Sequence, residues 1–321
     1  MENTTFNTGK IEGIRYENDD NSMRGTVTRY HRKPLPRELF KGAKTQDIAG
    51  LKSPAKRNLI ERDGDYSSKF TIGFEVEKTR LHRGAVKPYP LFCGFETDSS
   101  CGYEAVTNIL PLLPAGQWRT KVYSMMVDAK KIIEDDYSPS DTRCGGHITV
   151  AVEGMTGQEL LDAVRKNCGI VLALFRKRLS NYYTMRNFML QDVNTESVTH
   201  QNHTQKYAVV LAKYNCLEFR LPSRFQSVKQ MMRRYELFYE LLDFSINKPN
   251  GSHTAFLKKV APIINSMYEG DAEKVEMIMD LSKDFRKMIT TKKINGKVVE
   301  WVDRGGRFDH LYDSELSRRG F

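Results

Sequence analysis

The feature that most restricts how this chain can fold is the alternation of charged and apolar side chains in its strand-like segments. Successive side chains of a β-strand point to opposite faces, so residues i and i+2 share a face. In the segment Phe70–Glu77, Glu75 and Glu77 therefore point together, whereas Phe74 and Val76 point to the other side. Such a strand needs apolar cover on one face, and we expect its charged face to line a site.

Other segments repeat this division between an apolar and a polar face. Glu218 shares a face with Arg220, His147 shares one with Thr149, and Glu104 lies in a further segment of high β-propensity. Simple solvent exposure explains any one of these strands. Together they carry carboxylates, an imidazole and a guanidinium where Thr, Lys, Ser and Gln are more usual, which favours a shared site.

The wider pattern predicts an α+β fold with an antiparallel sheet, because strands are scattered among helices without a regular βαβ alternation. Strands are predicted at Phe70–Glu77, Tyr103–Asn108, Gly146–Val152, Tyr207–Leu211 and Cys216–Leu221. A loop rich in Gly, Pro and aromatic residues is predicted after the first strand, ending in a turn at Asp98–Gly102. Helices are predicted at 119–134, 160–179 (after a capping box at Thr156 and Glu159), 227–246, 254–268 and 272–289, followed by an Asn-Gly hairpin at 292–299.

Composition divides the chain into a basic, polar arm at 1–66, a central domain at 67–246, and C-terminal helices with a hairpin at 247–321. The net charge is +10, and residues 24–57 carry ten Lys or Arg against Glu38 and Asp47, which is +8 of that total. Such a segment is a solvated arm or a contact for nucleic acid or another polyanionic partner. Charge alone does not choose between these interpretations.

Cysteine usage and hydropathy predict a cytoplasmic protein. The five cysteines, Cys93, Cys101, Cys144, Cys168 and Cys216, are widely spaced and form no C-x-x-C pair, which favours reduced thiols over a disulfide framework or a zinc site. No run of about 18 apolar residues is present, so we expect no membrane span. The segment from Met1 to Lys10 lacks the apolar stretch of a secretory signal.

The polar strand faces predict a divalent-metal site. Glutamates at i and i+2 repel unless a cation lies between them, and Mg²⁺ commonly binds carboxylates, waters and substrate phosphates. Two such ions holding a phosphoryl group would account for the carboxylates, the histidine and the arginine together. The sequence has no Walker-type glycine loop, no Gly-x-Gly-x-x-Gly and no Ser-His-Asp pattern.

Four short motifs contain these residues: Gly73-Phe-Glu-Val-Glu77, Asp98-Ser-Ser-Cys-Gly-Tyr-Glu104, Cys144-Gly-Gly-His147 and Leu217-Glu-Phe-Arg-Leu221. In order and approximate spacing they resemble the amidoligase family, which belongs to the glutamine synthetase and glutamate–cysteine ligase superfamily of carboxylate–amine ligases. The resemblance covers residues 70–246, roughly half of the chain. It implies a glutamine-synthetase-like catalytic domain, a curved antiparallel sheet forming a partial barrel. The concave face would hold ATP and metal ions, and helices would cover the convex face.

The resemblance also implies a set of metal ligands. Glu75 and Glu77 would bind different ions of Mg²⁺ or Mn²⁺. Asp98 and Glu104 would complete the shell of one ion, with Glu96 as a substitute for Asp98.

The other matched residues would act nearer the transferred phosphate. His147 and Glu218 would bind the second ion there. Arg220 would contact the phosphates of ATP and stabilise the transfer, a role that suits its fixed charge and planar donors. Arg143 and Thr149 are further candidate contacts for ATP.

Two departures from the family pattern bear on the substrate. The family usually has a second histidine two residues after the first, where this chain has Thr149. Family members also often carry an asparagine in the strand before the Glu-x-Arg motif, and Tyr207–Leu211 has none.

The implied function is an ATP- and Mg²⁺-dependent ligase that joins a carboxylate to an amine through an acyl phosphate, forming an amide or isopeptide bond. The two substrates would be small molecules, peptides or proteins. A guanidino or amine phosphotransferase is the nearest enzymatic alternative. A second alternative is a non-enzymatic basic protein, of a virus, phage or mobile element, that keeps the fold and binds nucleic acid or a protein partner. The sequence leaves the oligomeric state open.

Overall fold

An antiparallel sheet positions the polar strands. The computed structural model describes residues 6–7, 59–60, 70–81, 84–86, 88–98, 101–134, 144–152, 154–178, 210–212, 216–290, 293–294 and 297–298. The strands in these ranges are β1 (Phe6–Asn7), β2 (Leu59–Ile60), β3 (Phe70–Lys78), β4 (Phe92–Asp98), β5 (Gly102–Thr107), β6 (Leu110–Pro111), β7 (Ile148–Val152), β8 (Val210–Ala212), β9 (Leu217–Phe219), β10 (Lys293–Ile294) and β11 (Lys297–Val298). The main sheet runs in the order β4–β5–β3–β7–β9–β8, with β6 paired to β3. It is open, because β4 and β8 form two separate edges.

The register aligns the polar faces of neighbouring strands. Residues directly opposite each other in an antiparallel pair lie on the same face of the sheet. Gly73 of β3 pairs with Thr149 of β7, which pairs in turn with Glu218 of β9. On the other side of β3, Glu77 pairs with Glu104 of β5. The predicted α+β class with an antiparallel sheet is therefore confirmed.

Helices make up most of the rest of the described chain. They are α1 (Gln117–Asp128), α2 (Lys130–Ile133), α3 (Gly157–Val164), α4 (Gly169–Leu174), α5 (Val228–Asn247), α6 (His253–Met267) and α7 (Ala272–Thr290). Single 3₁₀ turns lie at Arg165–Asn167 and Arg176–Arg178. The capping box predicted at Thr156 and Glu159 begins α3, and the Ser227 hydroxyl caps α5. Among these described helices, none has both the length and the apolar character needed to cross a membrane.

The face of the sheet opposite to the glutamates carries the hydrophobic core. Phe74, Ile148 and Phe219 form a buried row across β3, β7 and β9. The ring of Phe219 packs edge-on against Phe238 of α5 with 4.7 Å between centroids, and Phe74 packs against Phe225 at 5.5 Å. Burying each such side chain contributes about 1.5–3 kcal/mol. Part of the apolar cover that the sequence requires on one face is thus supplied by α5 and the segment before it.

Two helices that the sequence predicts as continuous are interrupted. The helix predicted at 119–134 divides at Ala129 into α1 and α2, and the helix predicted at 160–179 divides at 165–168 into α3, a 3₁₀ turn and α4. After the second break, Gly169 lies so close to α7 that a Cβ would be 2.4 Å from the carbonyl oxygen of Ser282. This close contact between helices is not visible in local periodicity, so the sequence gives no sign of it.

A buried polar network joins α6 and α7 to the rest of the helical layer. His253 lies between Asn167 Oδ1, 3.2 Å from its Nδ1, and Ser282 Oγ, 3.1 Å from its Nε2. Asn167 donates in turn to Ser245 Oγ at 2.9 Å. All four residues are buried, so the network satisfies polar groups that would otherwise be costly inside the core.

Two further predictions have clear outcomes. The loop predicted after the first strand is wrong over Phe92–Asp98, which forms β4 and pairs with β5. Gly94 lies at a register shift in that pairing, and glycine and proline near the start of the strand hide its pattern. The hairpin predicted at 292–299 is confirmed by the antiparallel pairing of β10 with β11.

The basic segment 24–57 and residues 207–209 lie outside the described residues, and the three-region division stays a prediction.

Candidate metal centre

The polar face of the sheet brings Glu75, His147 and Glu218 together. Glu75 donates its backbone N–H to the carbonyl oxygen of His147 at 3.1 Å, which extends the β3–β7 pairing by one residue. Nδ1 of His147 consequently lies 2.8 Å from Glu75 Oε2 and 3.7 Å from Glu218 Oε1. Ligand atoms of all three side chains lie within 4.8 Å of one another. The ligands of one octahedral Mg²⁺ ion lie roughly 3–4 Å apart, so this cluster has the dimensions of a cation site.

Arg220, which follows β9, completes this cluster. Its Nη1 donates to Glu218 Oε1 at 2.7 Å. Burial alone would lower the pKa of Arg220, but its pKa is raised overall by the negative charges of four glutamates, Glu218, Glu75, Glu77 and Glu104. The buried Nε of Arg220 has no hydrogen-bond partner among the described residues. The guanidinium therefore stays charged and keeps donor capacity for an anion.

Glu77 lies on the same face as Glu75 but deeper. Its Oε2 accepts the backbone N–H of Gly145 at 2.7 Å, and its Oε1 lies 3.3 Å from His147 Nε2. Burial raises the pKa of Glu77 overall, although His147 and the Gly145 N–H act in the opposite direction. The Glu77 side chain is 4% exposed, against 14% for Glu75. A carboxylate so far from water costs free energy unless donors or a cation compensate for it.

Two cysteines complete the surroundings of Glu77. Cys101 lies in the turn before β5, Cys144 lies before β7, and both are buried and reduced. Their Sγ atoms and one carboxylate oxygen of Glu77 all lie within 4.8 Å of one another. Cysteine spacing does not predict this grouping. The usable signal is that Cys101 comes three residues before Glu104, and Cys144 three residues before His147, within two of the four motifs.

The Gly145-Gly146 pair allows the chain to pass close to the imidazole. A Cβ at Gly145 would lie 2.9 Å from ring atoms of His147, and a Cβ at Gly146 would lie 2.6 Å from the carbonyl oxygen of Ser223. Gly146 also donates its N–H to the carbonyl oxygen of Pro222 at 2.9 Å. A larger residue at either position would displace the ring or the loop, so these glycines determine where His147 lies.

Two buried arginines that the sequence does not single out hold the neighbouring segments. Arg234 of α5 donates to the hydroxyl of Ser223 at 3.0 Å and to the Ser223 carbonyl oxygen, with its guanidinium 4.6 Å from the ring centroid of Phe225. Arg178 donates to the carbonyl oxygen of Cys144, and its charge acts on Glu77. Both arginines come from helical segments, where local sequence pattern gives no sign of a role at the sheet.

The described residues include seven of the nine side chains that the sequence predicts for the site. They share the polar face of the sheet: Glu75, Glu77, Glu104, His147, Thr149, Glu218 and Arg220. Thr149 reaches this face through its pairing with Glu218 and Gly73. Arg143 lies outside the described residues. Asp98 ends β4, but its side chain and that of Glu96 also lie outside the described part.

The charge balance of the cluster favours a cation. Four glutamates on the polar face act electrostatically on Arg220, and Arg178 is the other guanidinium acting on Glu77. Among these described groups, four carboxyl side chains thus meet two guanidinium groups. Because the attraction between charges is strong where water is largely excluded, a divalent ion would be bound by the remaining negative charge.

Comparison with known proteins gives no match. No family model matches the chain, and neither a curated protein nor a solved structure does so. The chemistry of the site therefore has to follow from its own side chains.

Proposed function

We propose that this protein is an ATP- and Mg²⁺-dependent carboxylate–amine ligase. The observation that carries the proposal is the contact of Glu75, His147 and Glu218 with one another, and of Glu218 with Arg220, on one face of the sheet. Phosphoryl transfer uses a hard cation and a fixed positive charge side by side. The resemblance of the four motifs to amidoligases supports the same reaction class.

The cluster of Glu75, His147 and Glu218 suits Mg²⁺ or Mn²⁺. Three side chains leave half of an octahedral shell for waters and phosphate oxygens. His147 Nδ1 and Glu75 Oε2, 2.8 Å apart, need a proton or a cation between them, because both otherwise present lone pairs. When bound, the ion would neutralise charge on the phosphate oxygens of ATP.

The residues around this cluster would orient ATP. The side chains of Glu75, His147 and Arg220 are 14%, 13% and 17% exposed, so a ligand can reach them without unfolding of the sheet. Glu218 fixes the guanidinium through the 2.7 Å bond to Nη1. Arg220 would then donate to the transferring phosphoryl oxygens from a position set before the reaction, which costs no reorganisation during transfer.

The reaction has two transfers. A carboxylate oxygen of the first substrate attacks the γ-phosphorus of ATP, the bond to the bridging oxygen breaks, and ADP leaves. The nitrogen of the amine then attacks the acyl carbon of the acyl phosphate, phosphate leaves, and the amine proton passes to solvent. The sheet contributes by holding the charged groups in fixed positions.

We also propose that the sheet is part of a glutamine-synthetase-like fold. A glutamine-synthetase-like partial barrel would have its site on the concave face and helices on the convex face. The open antiparallel sheet, with its glutamates on one face and α5 packed on the other, supports that description.

Release of ADP in the presence of Mg²⁺ tests this proposal. Pools of amino acids, polyamines and peptides supply carboxylates and amines, and mass spectrometry identifies the product. We expect ADP release that requires both substrates, and a strong loss of activity in Glu218→Gln. Glu276→Gln, which changes an exposed carboxylate of α7, should keep the parent activity.

Two outcomes would contradict the proposal. A phosphorylated amine or guanidino product would identify a phosphotransferase instead. A parent protein that binds no nucleotide would favour the basic binding protein.

A further inference from the structure

The surroundings of Glu77 differ in chemistry from those of Glu75. Cys101, Cys144 and Glu77 are 4%, 0% and 4% exposed, and their ligand atoms lie within 4.8 Å of one another. The thiol of Cys101 donates to the carbonyl oxygen of Tyr103 at 3.3 Å. The ligase reaction gives neither thiol a role, so this pairing of two thiols with a buried carboxylate needs its own explanation.

The thiols determine which metal would bind here. Mg²⁺ takes oxygen ligands, whereas Zn²⁺ binds cysteine sulfur together with histidine nitrogen or carboxylate oxygen. Around a tetrahedral zinc ion, with Zn–S about 2.3 Å and Zn–O about 2.0 Å, the ligand atoms lie roughly 3.5–3.8 Å apart. The three ligand atoms are within 4.8 Å of one another without an ion. Side-chain rotations that move these atoms by about 1 Å would bring them to the separations found around zinc.

The three ligands come from one strand and from segments that lead into its two neighbours. Glu77 belongs to β3, Cys101 directly precedes β5, and Cys144 lies before β7. Because β5 and β7 both pair with β3, the segments that carry the two cysteines approach the same strand from its two sides.

The charge around Cys101, Cys144 and Glu77 also suits a zinc ion. Two thiolates and a carboxylate carry three negative charges, of which a zinc ion leaves one. Arg178 donates to the carbonyl oxygen of Cys144 and acts electrostatically on Glu77, so its guanidinium offsets that remaining charge. Groups in this outer position commonly tune metal affinity.

We propose that Cys101, Cys144 and Glu77 form a zinc site beside the cluster of Glu75, His147 and Glu218. Three protein ligands leave a fourth position for water or a substrate atom, as in zinc sites that take part in reactions. On binding, Cys101 gives up its hydrogen bond to Tyr103, and the thiol protons pass to solvent. The site does not rest on the ligase proposal, because zinc binding needs neither ATP nor Mg²⁺.

Metal content and cobalt substitution test this site in the full-length, reduced protein. After loading with zinc and dialysis against excess Mg²⁺, we expect about one zinc ion per chain. Co²⁺ in place of zinc should give the intense near-ultraviolet absorption of thiolate-to-cobalt charge transfer. Cys101→Ser and Cys144→Ser should each lower zinc affinity by more than the roughly 10–100-fold that is typical for loss of an outer-shell partner.

Cys168→Ala is the matched control. Cys168 is equally buried but lies in the helical layer, and burial raises the pKa of its thiol to about 12, so its loss should leave the zinc content unchanged. Parent protein whose cobalt form lacks thiolate absorption would overturn the proposal even if the serine variants failed to fold. Displacement of the zinc by Mg²⁺ would overturn it as well.

Discussion

His147 and Glu75 are in contact across β3 and the segment before β7, with Nδ1 of His147 2.8 Å from Oε2 of Glu75. On the other side of the ring, Nε2 lies 3.3 Å from Oε1 of Glu77. A metal ion that replaced the proton shared by Nδ1 and Glu75 would leave the other ring proton on Nε2, where it faces Glu77. A carboxylate that faces the second ring nitrogen is the usual arrangement for a metal-binding histidine.

The first prediction concerns stabilisation by metal. Mg²⁺ or Mn²⁺ should raise the free energy of unfolding of the parent protein, because a ligand that binds only the folded state stabilises it by about 2.7 kcal/mol at 100 times its Kd. His147→Ala should remove most of that increase. Urea unfolding with and without the ion measures both, with Glu276→Gln as the control that keeps the increase. Equal stabilisation of parent and His147→Ala would place the ion elsewhere.

The second prediction concerns Gly145. Gly145→Ala should lower Mn²⁺ affinity at the Glu75 cluster, because its Cβ would lie 2.9 Å from the His147 ring and force the ring to move. Overpacking of this kind costs about 1–3 kcal/mol of stability. Electron paramagnetic resonance of free Mn²⁺ during titration gives the affinity, and thermal unfolding gives the stability.

Gly73→Ala is the matched substitution for Gly145→Ala. Gly73 lies on the same face of β3 as Glu75. A Cβ at Gly73 would meet Thr107 Oγ1 at 3.7 Å, which is an ordinary contact. We expect near-parent Mn²⁺ affinity in Gly73→Ala. Equal losses in the two variants would show that the effect comes from the sheet in general and not from the ring.

The sequence predicts the polar face well and its neighbourhood poorly. Glu75, Glu77 and Glu218 are placed correctly because the two-residue period of a strand is a local property. Cys101 and Cys144 escape prediction because they are 43 positions apart and meet only through the pairing of β3 with both β5 and β7. The role of Arg178 is equally hidden, since it depends on how a helical segment packs against the end of a distant strand.

The third prediction concerns Arg220. Arg220→Ala should lower turnover about 10²–10³-fold, with a smaller effect on ATP affinity, because a preorganised charge acts mainly on the transition state. Arg220→Lys keeps the charge but loses the planar donors, so we expect partial activity. Steady-state ADP release gives turnover, and equilibrium binding of an ATP analogue gives affinity.

Glu218→Gln separates the charge of this site from its shape. The substitution keeps the size of the side chain but removes the negative charge that binds Arg220, so the Mg²⁺ concentration for half-maximal activity should rise.

If Arg220→Ala weakened ATP binding as much as turnover, Arg220 would serve binding alone.

The fourth prediction concerns pH and His253. Burial, with help from Arg286 and Lys283, lowers the pKa of His253 to about 4 from the ordinary value near 6.5. The unfolded chain therefore binds a proton that the folded chain does not, between these two pH values. The contribution of His253 to the free energy of unfolding should be fully present above pH ~6.5. It should fall by roughly 3 kcal/mol as the pH drops to about 4.

His253→Asn tests this contribution. Asparagine does not titrate, so the loss of stability between pH 6.5 and about 4 should be smaller by that amount, although the variant is less stable throughout. Urea unfolding at a series of pH values measures the slope. Parallel pH profiles for parent and variant would mean that other groups cause the acid sensitivity.

The most direct test of the metal centre is a crystal structure with Mn²⁺ and a non-hydrolysable ATP analogue, with the ion located by its anomalous scattering. We expect a manganese peak about 2.1–2.3 Å from Glu75, Glu218 and Nδ1 of His147, with the γ-phosphate within hydrogen-bond distance of Arg220. A crystal that contains the nucleotide but no manganese between these side chains would contradict the proposed metal centre. So would a nucleotide bound on another face of the sheet.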